Sequence, residues 1–331
     1  TRRRRQRQMC IRDRYYMESL TYMLRRNFLY ASLLTLSFAV VSCNQSISDN
    51  QTASSPKATE LSSDSRSELI MGLIPAESNE EMVEKFEPMR AYMEEKLNRP
   101  IKVFTATDYA GVIEAMRQDK VDIAWFGPLS YVLAEQEAGA EAFATGVRTK
   151  TGKSTYKSIL VVPGDSTVQS IQDLKGKSVA FVDPASTSGG LVPSYLVLKA
   201  TGQKPKDFFG SLTYAGSHDA AGMAVKNKTV DAAGTNDITY NKMLNKGLIS
   251  EQSNRILLES EPIPGSPLAY RQELDDQTKN NIREIVLNAH KDIKVTGYGE
   301  LLNYESATAK DYGVVRDMID TLGIGREEIL K

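Results

Sequence analysis

The sequence predicts an α/β protein of two lobes, each a mainly parallel sheet flanked by helices. Three observations predict it. From residue 68 onward, short apolar runs alternate with amphipathic stretches, the pattern of strand–crossover–strand units. The alternation comes in two sets, which suggests two lobes with a cleft between them. Nearly every predicted strand-to-helix turn carries hydroxyls and small residues, and in such sheets ligands bind at the carboxyl ends of the strands.

The first set opens at 69–74, a continuous apolar run ending at Pro75, as a buried strand does. Residues 81–97 read as a helix with Met82, Phe86, Met89, Met93 and Leu97 on one face, broken in two by Pro88. A strand at 101–104, a helix at 109–118, a strand at 121–126 and a helix at 129–137 follow. The second set has strands at 156–162 and 178–182, then a helix at 191–201 closed by Gly202. A strand at 212–214, a helix at 219–226, a strand at 230–233 and a helix at 238–245 closed by Lys246-Gly247 complete it. Strands at 255–258 and 268–270 flank Pro262-Ile-Pro-Gly-Ser-Pro267, whose prolines suit an edge or a crossover. Helices at 275–290, with Ile282, Ile285, Val286 and Ala289 on one face, and at 310–322 finish the chain. The expected division is 68–150 for the first lobe, 151–252 for the second, and 253–331 for a return to the first with the C-terminal helices.

Ahead of this body the sequence changes character. Arg25-Arg26-Asn27 precede an apolar run over 28–41, which leads into Ser42-Cys43. A cationic start, an apolar stretch too short to span a bilayer well and a small-residue cleavage site make a secretory signal over 23–42. Cys43 directly after Val-Val-Ser looks like a bacterial lipobox, in which the thiol is diacylated and becomes the mature N-terminus. An ordinary signal peptide, or a membrane anchor with an incidental Cys, is the plainer alternative. Residues 1–22 are read as foreign to the protein, because Met-Cys-Ile-Arg-Asp-Arg over 9–14 resembles translated sequencing-adapter read-through. The start then falls at Met23 or Met17. Residues 43–67, rich in Ser, Asn, Gln, Thr and Asp, read as a flexible tether.

The composition, 41% hydrophobic and 25% charged, excludes a disordered tail, a collagen-like chain and a disulfide scaffold. The net charge of −1 hides an asymmetry. Residues 1–42 hold nine Arg and two acids, so the remainder has 32 basic and 40 acidic residues, a net of −8. That balance gives no reason to expect a nucleic-acid partner. Beyond residue 42 only Cys43 remains, so no intrachain disulfide can form there.

Hydroxyls at helix N-termini are ordinarily caps. Ser186-Thr187-Ser188 followed by Gly189-Gly190 ask for more. The hydroxyls supply donors, the glycines let backbone N–H groups approach a ligand, and a helix N-terminus adds partial positive charge. Together they make an anion cradle of neutral dipoles, suited to an acidic chain.

Four segments then carry a resemblance: FTATDYAGVIEAMR at 104–117, DIAWFGPLSY at 122–131, DPASTSGGLVP at 183–193 and SHDAAGMAVKNKTVDAA at 217–233. Over roughly residues 69–275 the chain resembles the phosphate/phosphite/phosphonate-binding subunits of bacterial ABC importers. The resemblance implies a type II periplasmic-binding-protein fold closing on a small phosphorus oxyanion in the interlobe cleft. It also implies an ABC permease partner in the inner membrane and a periplasmic location. With the lipobox, the protein is expected to be a monomer that meets the membrane only through a lipid on Cys43. No cofactor or metal is expected.

By motif, the resemblance implies that Ser186, Thr187 and Ser188 grip the phosphonate oxygens. Tyr109 donates its hydroxyl from the opposite lobe, and His218 completes the shell. His218 has the plainer reading of a capping or core histidine. Relatives that prefer aminoethylphosphonate place a Glu where Ile238 falls and an Asp in the turn that here reads Pro264-Gly-Ser-Pro267. A buried ammonium without a counter-charge is costly. The expected ligand is therefore amine-free: phosphite or methylphosphonate. Trp125 and Phe126 are candidates to line its P–H or P–CH3 vertex, with lobe core as their alternative. A fourth oxygen left unpaired there would cost phosphate about 1–3 kcal/mol. Asp237 is a candidate acceptor for a protonated ligand oxygen.

Two other functions were weighed. A hydrolase would use Ser186, His218 and Asp237, but no G-x-S-x-G elbow surrounds Ser186, so no catalytic residue is assigned. A tethered sensor reporting ligand to a membrane partner is the alternative reading, since export, lipidation and a cleft fit it too.

Overall fold

The computed structural model describes residues 67–330. The expected signal, the tether and Cys43 lie outside the described residues.

Two mixed sheets organise the body. The first has six strands in the order β11-β4-β10-β3-β1-β2, with β1 at Leu69–Leu73, β2 at Ile101–Thr105, β3 at Ile123–Trp125, β4 at Glu141–Arg148, β10 at Pro267–Tyr270 and β11 at Leu301–Ser306. The second is β7-β6-β8-β5-β9, with β5 at Ser158–Val162, β6 at Ser178–Phe181, β7 at Ser211–Tyr214, β8 at Ala232–Asn236 and β9 at Arg255–Glu259. The expectation of mainly parallel sheets holds only for their centres. Strands β1, β2 and β3 run parallel, as do β6, β7 and β8. β10, β4 and β11 join the first sheet antiparallel, and β5 and β9 join the second antiparallel. β5 and β10 are reached by changing lobes, with no helical crossover to force them parallel; β4 and β9 pair antiparallel with these two, and β11 with β4.

The helices are α1 at Asn79–Leu97, α2 at Tyr109–Arg117, α3 at Pro128–Ala138, α4 at Val192–Thr201, α5 at Pro205–Phe208, α6 at His218–Lys226, α7 at Asp237–Asn245, α8 at Asp276–Asn288, α9 at Gly313–Leu322 and α10 at Arg326–Ile329. Helix α1 runs unbroken through Pro88, against expectation. Both Pro88 and Glu84, the residue whose carbonyl loses its partner, face solvent, so water satisfies the carbonyl. The buried face is the one the sequence indicated: Met82, Phe86, Met89 and Met93 are all inside. Strands β4 and β11 were not anticipated. The helix predicted at 275–290 ends at Asn288, two residues early, and continues as a short 3₁₀ turn, Ala289–Lys291.

The chain passes between sheets twice. It leaves β4 for β5 through residues 149–157 and leaves β9 for β10 through 260–266. The return therefore falls after Glu259, not at 253, since β9 still pairs with β5. The two crossing segments meet at one antiparallel bridge, Tyr156 with Ile263. Tyr156 is thus a crossing residue, not the start of β5.

Candidate functional site

The loops leaving the parallel strands of both sheets face each other. From the first lobe come Glu77 after β1, Tyr109 after β2 and the start of α3 after β3. From the second come Ser186, Thr187 and Ser188 after β6, His218 after β7 and Asp237 after β8. Tyr109, Ser186, Thr187, Ser188 and His218 are all buried.

The hydroxyl segment is built by a π-type turn, Thr187–Leu191, ahead of α4. Ser186 caps it, its Oγ accepting from the Gly189 N–H at 3.1 Å. The Gly189 N–H is therefore engaged within the turn. Both glycines answer to packing: a Cβ at Gly189 would overlap the Val182 side chain, and one at Gly190 would fall 2.6 Å from the Asp183 carbonyl oxygen. Asp183 braces the same turn through Oδ1, which accepts from the Ala185 N–H at 2.7 Å.

The lobes touch directly across this cluster. The Leu129 N–H donates to Thr187 Oγ1 at 2.7 Å, and the His218 N–H donates to the Ala76 carbonyl at 2.9 Å. The Tyr109 phenol is influenced electrostatically by Ser186, and that of Tyr156 by Ser188 and Thr187, which places these hydroxyls beside one another. Burial is the main cause that raises both phenols, Tyr156 to about 12 and Tyr109 further, so both remain neutral hydroxyls. Burial likewise pushes His218 down to about 3, leaving a neutral imidazole. Its Nδ1 lies 3.0 Å from Thr235 Oγ1. Only the arrangement in which Thr235 donates to Nδ1 leaves an Nε2–H free to donate elsewhere.

Asp237 opens α7. Its Oδ1 accepts from the Lys157 N–H at 3.0 Å, and burial raises its carboxyl above the usual range. His218 and Asp237 are thus engaged with different partners, and the Ser186–His218–Asp237 triad is not assembled. Phe126 is fully buried in the main core, and its N–H bonds the Pro267 carbonyl at 3.0 Å. Trp125 packs between Phe86 and Tyr298, with ring centroids 5.4 and 4.9 Å away.

Four residues here were missed from the sequence. Tyr156 comes from the crossing segment. Tyr298 places its hydroxyl 2.6 Å from Thr239 Oγ1 and accepts from Asn236 Nδ2 at 2.9 Å, tying the first lobe to α7. Glu77, 1% exposed, accepts from Thr239 Oγ1 at 3.0 Å and pairs with Lys242 Nζ at 2.9 Å and with Lys85. Lys242 is shared with Glu81 at 2.8 Å, which Lys246 also meets at 2.6 Å. No motif marked any of these. The signal available was an acid, Glu77, in a strand-to-helix turn.

Two α/β lobes, joined by two crossing segments and meeting over a buried polar cluster at their strand ends, define a type II periplasmic binding protein. A family model described as the periplasmic substrate-binding protein of phosphonate ABC transporters matches residues 71–312, and the chain belongs to that family. It is 36% identical over 227 residues to the phosphonates-binding periplasmic protein of Escherichia coli (strain K12), a match covering 67% of this chain and 66% of the relative. It is 30% identical over 224 residues to the phosphate-import protein PhnD of Mycolicibacterium smegmatis, covering 65% of this chain and 70% of that one. Among solved structures, a binding-protein component of an ABC phosphonate transporter from Pseudomonas aeruginosa aligns with a TM-score of 0.69 at 28% identity, over 78% of this chain and 91% of that one. These relatives are binding proteins of transporters, not enzymes.

Proposed function

We propose that this protein is the solute-binding component of an ABC importer and captures a small, amine-free phosphorus oxyanion, phosphite or methylphosphonate in preference to aminoethylphosphonate and phosphate. The observation that carries the reading is the meeting of Tyr109 from one lobe with Ser186, Thr187, Ser188, Tyr156 and His218 from the other. That set consists of neutral donors, buried and preorganised, as an oxyanion requires. Ser186, Thr187 and Ser188 bind the oxygens, Tyr109 and Tyr156 donate from two sides, and His218 donates from Nε2. Asp237, as an ionised acceptor, takes a hydrogen bond from a protonated ligand oxygen and disfavours a fully charged phosphate. Phe126 and Trp125 form the apolar wall behind the cluster. An inner-membrane permease receives the ligand, and a lipid on Cys43 holds the protein at the membrane in the periplasm.

Calorimetric titration of the protein with phosphite, methylphosphonate, aminoethylphosphonate, phosphate and sulfate tests this. Phosphite or methylphosphonate is expected to bind best. Tightest binding of phosphate, as the name of the M. smegmatis relative would suggest, removes the vertex argument. Tightest binding of aminoethylphosphonate removes the amine argument. Tightest binding of sulfate removes the ligand class.

A further inference from the structure

Beside the oxyanion cluster lies a groove of about 840 Å³, with Tyr156 and Asp237 in its wall. Its composition is unlike the rest of the cleft. Arg148, the last residue of β4, lines it and is only 8% exposed. No carboxylate lies within ion-pair distance of Arg148, and the single hydrogen bond of its side chain runs from Nη1 to the Tyr298 carbonyl. Its Nε is buried without a partner, and so is Oγ1 of Thr296, which lines the same groove. A buried guanidinium left this way is costly unless something answers its charge.

The guanidinium is also held in place. Gly299, at φ +85°, passes so close that a Cβ there would fall 2.6 Å from Nη1. At the groove's rim, Lys150 and Lys294 are exposed and carry no ion pair, whereas Lys242 and Lys246 are already matched by Glu77 and Glu81. The competing charges are Asp237, which faces the same space and is partly buried, and the exposed carboxylates of Glu84 and Glu300 in the groove's lining. Burial raises the Asp237 carboxyl and lowers the Arg148 guanidinium, the shifts expected of two groups in contact with little water.

We propose that Arg148 and Thr296 form a second anion subsite, continuous with the oxyanion cluster, that takes the carboxylate of a short phosphonocarboxylate whose phosphonate sits at Ser186–Ser188. This rests on the oxyanion reading above and extends it, since an amine-free substituent is here an anionic one. The planar fork of the guanidinium suits a carboxylate, with Thr296 Oγ1 as a further donor.

The test compares three probes on the protein by calorimetry: phosphonoacetate, its neutral isostere phosphonoacetamide, and methylphosphonate. One charge-assisted contact predicts that phosphonoacetate binds about ten- to hundredfold tighter than phosphonoacetamide. Arg148→Met is expected to abolish that difference while changing methylphosphonate affinity by less than about threefold. Equal affinity for phosphonoacetate and phosphonoacetamide in the wild type overturns the subsite, and needs no variant. An Arg148→Met loss equal for all three probes overturns it too, by making Arg148 a residue of the fold. Binding of methylphosphonate with no gain for the carboxylate refutes the subsite alone. Failure of all three to bind refutes the oxyanion reading along with it.

Discussion

Glu77→Gln isolates what holds the lobes together. Glu77 leaves β1 in the first lobe, yet its partners Thr239 and Lys242 lie on α7 in the second. Glutamine keeps the shape and can still accept from Thr239 Oγ1, but loses the charge facing Lys242 at 2.9 Å and Lys85. A hydrogen bond to a charged partner contributes about 1.5–3 kcal/mol. Lys242 retains Glu81 at 2.8 Å, so the loss falls at the low end, about 1.5 kcal/mol, or about tenfold in Kd. The contact exists only when the lobes meet, so the cost falls on the closed state. Stopped-flow and calorimetry with methylphosphonate should show dissociation about tenfold faster and association changed by less than about twofold. Affinity within about twofold of wild type would refute the reasoning. So would a ligand-free melting temperature that falls as far as the ligand-bound one, because Glu77 would then support the fold itself.

Other outcomes follow from single residues. His218 sits at about 3 when folded against an ordinary 6.5, so the unfolded chain takes its proton first. The stability it contributes is fully present above 6.5 and is lost as pH falls toward 3. The unfolding free energy from urea titration should therefore drop by about 1.4 kcal/mol between about pH 7.5 and 5.5, and His218→Asn should flatten that slope. Gly189→Ala should abolish oxyanion binding in calorimetry, because the new Cβ overlaps Val182 and comes within 3.1 Å of His218 Cε1. Its circular dichroism should stay native. Pro88→Ala should raise the unfolding free energy measured by urea titration by about 1 kcal/mol or more by restoring a hydrogen bond on the exposed face of α1, with ligand affinity unchanged.

The fold was legible where burial and periodicity agree. The inner strands β1, β3 and β6 are short apolar runs, and the turns that follow them carry the site. Strand β4 was hidden because Glu141–Arg148 reads Glu-Ala-Phe-Ala-Thr-Gly-Val-Arg, with too few β-branched residues to signal a strand. Its small residues are an effect of packing: a Cβ at Gly146 would sit 2.8 Å from Leu301 on β11. Strand β11 alternates weakly and lies at the sheet edge, so it is defined only by β4. Of the site, the motif residues were legible and the crossing residues were not. Nothing in Ser154-Thr-Tyr-Lys-Ser158 announces Tyr156, since its place depends on a bridge to Ile263, 107 residues away. Glu77 stands among Glu80, Glu81 and Glu84, and only the fold shows that it alone of these is buried against the other lobe.

The charge distribution then takes on a specific meaning. Residues 43–331 carry a net −8, and an acidic surface repels the anion it is proposed to bind. Attraction must come from groups the surface does not screen. The oxyanion cluster meets this with hydroxyls, a neutral imidazole and a turn at a helix start, none of which needs a counterion when the lobes open. The charged residues of the cleft are mostly matched among themselves: Glu77 and Glu81 with Lys85, Lys242 and Lys246. The pairs with Lys242 and Lys246 join lobe to lobe, the one with Lys85 lies within the first lobe, and together they leave little field for the ligand. Arg148 differs because no carboxylate lies within ion-pair distance of it, Asp237 acting only from across the groove, and its position is fixed by Gly299 and the Tyr298 carbonyl. Closure around a ligand with no second charge would leave that guanidinium unanswered, whereas closure around a carboxylate would not. On the proposed reading, the division of labour is between neutral donors that would recognise the phosphorus centre and one buried cation that would discriminate what is attached to it.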